Sequence, residues 1–216
     1  MRPKVKVCGV TDPAFAAEAA RRGVDYLGVI FAAGSPRQVD VARAREIAAA
    51  ARAARPESPP LVVGVFVGGT PGEIGATAAG VPLDVVQLHG GFDARSVAEL
   101  KGAGYEVWRL WDGAARGEDA ALLDGRDGAK AGGTGRLADW RLVGELKRRG
   151  LRVVLAGGLS AENAAAAEAT GADVLDFNSS LETSPGVKSL RKLDDILDRR
   201  SRLNVTANAS KIPSPR

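Results

Sequence analysis

The chain has 216 residues, of which 45% are hydrophobic and 26% charged, a composition typical of a globular protein with one sizeable core. One cysteine and one histidine exclude an intrachain disulfide and argue against a metal site. No run approaches the ~18 apolar residues of a membrane span, and the first ten residues lack the apolar core of a signal peptide. We therefore expect a cytoplasmic protein with no metal and no membrane partner.

The positive charge is concentrated near the C-terminus. The formal net charge is +4, but residues 1–187 carry 22 basic and 23 acidic side chains, whereas residues 188–216 carry 8 and 3. Because the body is nearly neutral, we expect no nucleic-acid partner. Residues 202–216 are polar and lack periodicity, which predicts a disordered tail after a single domain over residues 1–201.

Short apolar runs alternate along the chain with Ala-rich stretches, and Gly, Pro or Asp bounds each run. Such runs are typical of strands that are buried on both faces of a parallel sheet. The predicted strands are Lys4–Cys8, Asp25–Ile30, Leu61–Val67, Asp84–Leu88, Glu106–Leu110, Ala121–Asp124, Arg152–Ala156 and Asp173–Phe177.

Helix start and stop signals lie between these runs. The first predicted helix follows Thr11-Asp12-Pro13, a capping side chain ahead of proline, and ends before Gly23. The connection Trp111–Ala120 is too short for more than one or two helical turns. The predicted helices are Ala14–Arg22, Val41–Ala54, Pro71–Ala79, Ala94–Lys101, Asp139–Arg149, Ser160–Ala169 and Ser189–Arg200.

Eight strand–helix units in one chain favour an α/β fold, a single (β/α)8 TIM barrel. The alternative, an open doubly wound sheet, usually has five or six units and a glycine-rich turn after its first strand. Here the first strand leads into Cys8-Gly9-Val10-Thr11, which lacks that pattern.

Active sites of TIM barrels lie at the carboxyl ends of the strands, which singles out Cys8 and Asp124. Cys8 shares its strand parity with Lys4 and Lys6, so the two ammonium groups are expected beneath it, lowering the thiol pKa and making a usable base. The alternative for Cys8 is an inert, small apolar side chain. Asp124 is a candidate acid, with a loop-capping role as its alternative.

Two consecutive strand ends predict an anion site. Gly157 and Gly158 follow the seventh strand, and Asn178, Ser179 and Ser180 follow the eighth. Loops at these two positions commonly bind phosphate through backbone N–H groups, although each alone could be an ordinary tight turn.

Three further features lie in loops at the same end. Arg37 is a candidate anchor for a carboxylate or phosphate, or else a solvated surface charge. His89 is a candidate substrate contact, or else a hydrogen-bonded structural histidine. The glycine-rich segment 132–135 is a candidate lid, or else merely a flexible loop.

Taken in order from about residue 4 to residue 200, these motifs resemble the phosphoribosylanthranilate isomerase family. The motifs are Lys6-Val7-Cys8-Gly9-Val10-Thr11, Gly28-Val29-Ile30-Phe31, Ser35-Pro36-Arg37, Val63-Gly64-Val65-Phe66-Val67, Val86-Gln87-Leu88-His89-Gly90, Leu122-Leu123-Asp124, Gly132-Gly133-Thr134-Gly135, Asp139-Trp140, Leu155-Ala156-Gly157-Gly158-Leu159 and Pro185-Gly186-Val187-Lys188. The resemblance implies a cofactor-free Amadori rearrangement of N-(5-phosphoribosyl)anthranilate in tryptophan biosynthesis, by a monomer or a homodimer.

The resemblance also assigns roles to matching residues. Asp124 would be the general acid that opens the furanose, Cys8 the general base at C2′, and Arg37 the partner of the anthranilate carboxylate. The phosphate would lie among Gly157, Gly158 and the Asn178–Ser180 turn, with Asp176 close by.

One departure keeps other functions open. The family's strand-eight motif usually reads Asp-Val-Ser-Ser-Gly-Val-Glu, and Ser180 stands here at the glycine position, with Asn178 as a second change. A milder change, Gln38, lies near the anthranilate end. The alternatives are a paralogous isomerase for a different N-glycosyl anthranilate, and a non-catalytic barrel that binds an anion or a partner, with the basic tail as a docking segment.

Overall fold

The computed structural model describes residues 2–125 and 138–209. Eight parallel strands pair in chain order and close, β8 pairing with β1, so the predicted TIM barrel is confirmed. The barrel strands are β1 (Lys4–Val7), β2 (Tyr26–Ile30), β3 (Leu61–Val67), β4 (Val85–His89), β5 (Glu106–Leu110), β6 (Ala120–Leu123), β7 (Arg152–Leu155) and β8 (Val174–Phe177). All eight strand predictions are confirmed to within one residue at each end.

Helices cover the outside of the barrel and begin at recognisable caps. The Asp12 carboxylate accepts from the backbone N–H groups of Ala14 and Phe15, and Thr70 and Glu73 form a capping box. The helices are α1 (Pro13–Arg21), α2 (Val41–Ala54), α3 (Pro71–Ala79), α4 (Ala94–Gly102), α5 (Arg141–Arg148), α6 (Ala164–Ala169) and α7 (Leu190–Ala209). In the described part of the chain, none of them is long and apolar enough to cross a membrane.

Strand alternation divides the core into two regions. Side chains between the sheet and the helices form two apolar clusters, one that includes Leu27 and Phe177 and one that includes Leu88. The barrel interior holds a third cluster, where Tyr26 and Trp108 meet edge to face with their ring centroids 4.9 Å apart. Strand alternation therefore sorts the apolar side chains between the barrel interior and the layer beneath the helices.

The connection between β5 and β6 contains no helix over residues 111–119, where the sequence allowed a turn or two. Arg109 points away from the interior and is fully buried against this connection. Its guanidinium donates to the Ala114 carbonyl and lies 3.2 Å from Asp112 and 3.3 Å from the buried Glu118. Ion pairing therefore takes the place of helix packing on this side of the barrel.

The segment after β8 contains structure that the sequence patterns did not predict. A 3-10 helix (Ser179–Leu181) leads into an antiparallel hairpin of β9 (Glu182–Ser184) and β10 (Val187–Lys188). Thr11 Oγ1 donates to the Gly186 carbonyl over 2.7 Å, and Gly186 has a φ of +86°. A Cβ there would lie 2.8 Å from the Pro36 carbonyl, so the hairpin packs closely on the loops that follow β1 and β2.

Two predicted helices begin later than expected, and one runs further. Residues 160–163 precede α6 as a turn, in which Asn163 accepts from the Ser160 N–H and donates to the Gly158 carbonyl. Helix α7 continues to Ala209, into the segment expected to be a tail, and residues 210–216 lie outside the described residues. The candidate lid at 132–135 lies outside them as well, so both the lid and the disordered tail stay predictions.

Candidate active site

Cys8 directly follows β1, and its thiol is packed inside the barrel mouth. The residue is only 5% exposed and joins the interior cluster. Gly28 lies beside it on β2, where a Cβ would approach the Cys8 Sγ to 2.9 Å and the Lys6 Cε to 3.3 Å. Gly28 therefore leaves the space that the thiol and the lysine stem occupy.

Lys6 and Asp176 form a buried ion pair below Cys8. The Lys6 ammonium donates to Asp176 Oδ2 over 2.6 Å, and both side chains are almost fully buried. Burial opposes the charge of Lys6, but the attraction of Asp176, and also of Cys8, outweighs it and raises the lysine pKa. Asp176, which the resemblance implied to lie close to a phosphate, is thus the counter-ion of Lys6 in this structure.

The pKa of the Cys8 thiol is raised from its ordinary value, mainly because burial disfavours the thiolate. Lys6 and Lys188 lower it and Asp176 raises it, so the charge of Lys6 is largely offset by its own partner. Lys4 is exposed and lies over the Tyr26 ring, 5.4 Å from the centroid. Lys6 therefore lowers the thiol pKa as predicted, but burial outweighs this effect, and the expected net lowering of the pKa is wrong.

Asp124 directly follows β6 and is partly buried at the same end of the barrel as Cys8. Leu122, two residues earlier, belongs to the interior cluster, so strand alternation directs Asp124 toward the barrel axis. Strands β7 and β8 separate β6 from β1 on the shorter way around the barrel. The candidate acid and base therefore stand at one mouth on non-adjacent strands.

Arg37 is bound by a carboxylate of the hairpin. Its Nε and Nη2 donate to Glu182 Oε1 and Oε2 over 2.7 and 2.6 Å, and the Arg37 side chain is 13% exposed. The hydrogen bonds that Arg37 donates to Glu182 raise the pKa of Arg37. Burial disfavours the Glu182 carboxylate, but Arg37 and Lys188 outweigh it and lower its pKa. Arg37 is thus a fixed, mostly buried cation, and the expectation of a solvated surface charge is wrong.

Lys188 completes this network and was not singled out as a site residue from the sequence. Its ammonium donates to the Asn178 carbonyl over 3.0 Å, to Asn178 Oδ1 over 2.7 Å and to Glu182 Oε1 over 2.8 Å. Glu182 was likewise missed as a site residue. The signal that could have found both is their place in two motifs of the family resemblance, because no local pattern relates them to Arg37.

The glycines after β7 have two different surroundings. Gly157 has a φ of +78°, and a Cβ there would lie 2.7 Å from Asp124 Oδ1, so this glycine makes room for the candidate acid. Gly158 has a φ of +67°, and Asn163 holds its carbonyl. In the 3-10 helix after the neighbouring strand β8, Ser180 Oγ is buried and has no hydrogen-bond partner among the described residues. The phosphate site predicted at these two loops stays a prediction.

His89 ends β4 at the rim, next to a buried amide. The Nε2 atoms of Gln87 and His89 are 2.8 Å apart, and Gln87 is 2% exposed. The Gln87 amide therefore helps to orient the His89 ring. This position is compatible both with a structural role and with a contact to substrate.

The barrel mouth thus collects a candidate base, a candidate acid and a buried arginine from separate strand ends. No group of three His, Cys, Asp or Glu side chains within residues 2–125 and 138–209 could hold a metal ion. Proton transfer by protein side chains is the chemistry that these groups can perform. Fold and site define a TIM barrel with a candidate acid and a candidate base at its mouth.

Comparisons with known proteins identify the family. Residues 5–199 match the family model of N-(5′-phosphoribosyl)anthranilate (PRA) isomerase. The isomerase of that name from Neisseria meningitidis serogroup B is 35% identical over 212 residues, which cover 93% of this chain and 98% of that protein. The phosphoribosyl anthranilate isomerase crystal structure from Thermus thermophilus has a TM-score of 0.79 at 33% identity, over 93% of this chain and 99% of that one. The chain belongs to the N-(5′-phosphoribosyl)anthranilate isomerase family.

A longer relative is also similar. The tryptophan biosynthesis protein TrpCF of Vibrio cholerae serotype O1 is 37% identical over 201 residues. This match covers 88% of the chain, and the chain spans only 40% of the length of that protein.

Proposed function

We propose that the protein catalyses the Amadori rearrangement of N-(5-phosphoribosyl)anthranilate to 1-(2-carboxyphenylamino)-1-deoxyribulose 5-phosphate, a step of tryptophan biosynthesis. The observation that carries the proposal is the placement of Cys8 and Asp124 at one barrel mouth, on a chain of this family. The reaction moves a proton from carbon to carbon within one molecule. An acid and a base are therefore the groups that it requires.

In the first step, the Asp124 carboxyl group protonates the ring oxygen of the ribose while the bond from C1′ to that oxygen breaks. The product is a Schiff base between C1′ and the anthranilate nitrogen. Gly157 leaves no side chain between Asp124 and the loop after β7, so the acid can stand close to the backbone there. A carboxyl group within hydrogen-bond reach of the ring oxygen can act as the general acid in this step.

In the second step, the Cys8 thiolate removes the proton from C2′, and the resulting enolamine tautomerises to the ketone. Burial stabilises the neutral thiol, and Lys6 beneath it favours the thiolate. The base is thus held in a dry site in which its charge is balanced by fixed cations, an environment in which electrostatic interactions are stronger than in water.

We propose that the substrate is held by its two anionic ends. Arg37 uses Nε and Nη2 for Glu182, which leaves Nη1 for the anthranilate carboxylate. The phosphate would contact Gly157, Gly158, Asn178, Ser179 and Ser180, and His89 would contact the substrate from β4. The buried hydroxyl of Ser180 supports this, since a polar atom without a protein partner suits a bound anion.

We propose that the enzyme works in the cytoplasm and needs no metal or cofactor. It would act as a monomer or a homodimer on a small molecule, and not on nucleic acid or a membrane. The single cysteine supports a reducing compartment because it is a free thiol in the structure.

The test is complementation of a tryptophan auxotroph that lacks this isomerase, together with turnover of the purified chain. Rescue is expected, and Cys8→Ser and Asp124→Asn should each lower kcat by at least ~10²-fold, the lower end of acid–base contributions. Lys101→Met, which removes a partly exposed lysine of α4 that pairs with Asp119, is a control that keeps activity. Unchanged turnover in both site variants would instead favour a non-catalytic, anion-binding barrel.

Asn178 and Ser180 favour a second candidate, an Amadori isomerase for a different N-glycosyl anthranilate. The Asn178 side chain is held by Lys188, and a serine stands at position 180 where the family motif has glycine. Comparing kcat/KM for phosphorylated and unphosphorylated substrates separates the two. A strong preference for the phosphorylated compound eliminates this candidate.

A further inference from the structure

A cluster of charged side chains from several elements lies at the mouth of the barrel, and four of its members interact electrostatically with the Cys8 thiol. The cluster consists of Lys6 on β1, Asp176 on β8, Arg37 in the loop after β2, Glu182 on β9 and Lys188 on β10. Two close pairs account for four of these charges, namely Lys6 with Asp176 and Arg37 with Glu182. Lys188 is the fifth, so this cluster of five holds one positive charge more than negative.

The Lys188 ammonium is held in place on all three of its N–H bonds. Its acceptors are the Asn178 carbonyl, the Asn178 side-chain oxygen and Glu182 Oε1, and the lysine side chain is 2% exposed. Three acceptors, one of them a carboxylate oxygen, suit a protonated amine, which has three donors and no acceptor. Glu182 cannot neutralise it fully, because the same carboxylate receives both bonds from Arg37.

A short chain of contacts joins this ammonium to the thiol. Asn178 Oδ1 lies 2.9 Å from the point where a Cβ of Gly9 would stand, and Gly9 is bonded to Cys8. Gly9 has a φ of +70°, a conformation that brings the backbone beside the catalytic cysteine against Asn178 and Arg37. The hairpin therefore holds Lys188 against Asn178, which in turn packs on the residue bonded to Cys8.

We propose that Lys188 is a positioning residue that supports the thiolate form of Cys8. Because the other four charges pair with one another, the surplus charge of Lys188 is balanced when Cys8 loses its proton. Lys188 lowers the thiol pKa, and Cys8 in turn raises that of Lys188 while burial, the largest influence on the lysine, lowers it. This inference rests on the proposed role of Cys8 as the general base.

The chain offers a direct test, since Cys8 is its only cysteine. Absorbance near 240 nm reports thiolate, and subtracting a Cys8→Ser titration removes the contribution of the two tyrosines. In the Cys8-containing chain, Lys188→Met should move the midpoint upward by about one pH unit or more, the usual effect of one nearby charge. Lys188→Arg keeps the charge, so its midpoint should stay close to that of the wild type.

Lys192→Met is the matched control. It removes the same charge from a lysine that donates to the Glu182 carbonyl, not to the carboxylate, and its midpoint should equal that of the wild type. An unchanged midpoint in folded Lys188→Met, or an equal upward shift in Lys188→Arg, would overturn the proposal. If Lys188→Met does not fold, Lys188→Gln, which keeps a donor without the charge, is titrated in its place with the same expectation.

The titration is independent of turnover, so it separates this inference from the proposed function. If the chain isomerises the substrate, the acid limb of kcat/KM should shift upward in Lys188→Met by the same amount as the thiol midpoint. A midpoint shift in a chain without isomerase activity would leave the electrostatic role of Lys188 standing and defeat the proposed function alone.

Discussion

Asp124 and Gly157 are in such close contact that a side chain at position 157 would collide with the acid. A Cβ on Gly157 would lie 2.7 Å from Asp124 Oδ1 and 2.3 Å from the Gly125 amide nitrogen. The two residues follow β6 and β7, which are neighbours in the barrel. The loop after β7 therefore limits where the Asp124 side chain, at the end of the neighbouring strand β6, can lie.

This contact predicts that Gly157→Ala lowers kcat by at least ~10-fold, because a displacement of a catalytic group by about 1 Å is costly. Gly150→Ala is the matched control, since Gly150 has a φ of +79° against +78° for Gly157 but no atom within 4 Å of its Cβ position. Both variants carry similar backbone strain, of order 1 kcal/mol. Steady-state kinetics and urea unfolding of the two variants check the prediction. Equal kcat in both would contradict a steric role for position 157.

Glu182 holds Arg37 and Lys188 together, so Glu182→Gln should destabilise the fold by about 3 kcal/mol, the lower end for breaking a buried ion pair. It should also raise KM, since Arg37 loses the partner that orients it. Urea unfolding at pH 7 and steady-state kinetics measure the two effects. Glu99→Gln, in an exposed pair with Arg95 on α4, is the control and should cost less than ~0.5 kcal/mol.

The pKa of Glu182 is lowered in the folded chain, which gives its contribution to stability a definite pH dependence. The contribution is fully present above the unfolded value, about 4.3, and is lost as the pH falls through the lower, folded value. The difference in unfolding free energy between wild type and Glu182→Gln should therefore be constant from pH 7 to about pH 5 and shrink at more acidic pH. A difference that grows on acidification would show that Glu182 is protonated in the fold.

The sequence predicted the parts of the molecule that depend on local patterns. Apolar runs between Gly, Pro and Asp located all eight strands, and this placed Cys8 and Asp124 at strand ends before any contact was known. The network around Arg37 was not predictable in this way, because Arg37 and Glu182 are separated by 145 positions in the chain. Their contact depends on how the barrel closes and how the hairpin folds back.

The direction of the thiol pKa shift could not be read from the sequence either. Strand parity correctly suggested that Lys6 lies near Cys8, but it could not show that Asp176 neutralises Lys6 or that packing against Gly28 excludes water. Burial then dominates the balance. Because opposing influences act on the Cys8 pKa, the direction of its shift can be predicted only when all the neighbours of the thiol are known.

Arg109 and Glu118 are both buried where the chain connects β5 to β6 without a helix. Arg109→Met should destabilise the fold by about 3 to 5 kcal/mol, because it leaves the Glu118 carboxylate without its cation in a site of low polarity. Adding Glu118→Gln removes that buried charge, so the double variant should be less destabilised than the sum of the two single variants, with a coupling of at least ~1 kcal/mol. Urea unfolding of the four chains gives the coupling directly. Additive effects would mean that the connection is held by the Ala114 and Asp112 contacts of Arg109 and not by its pairing with Glu118.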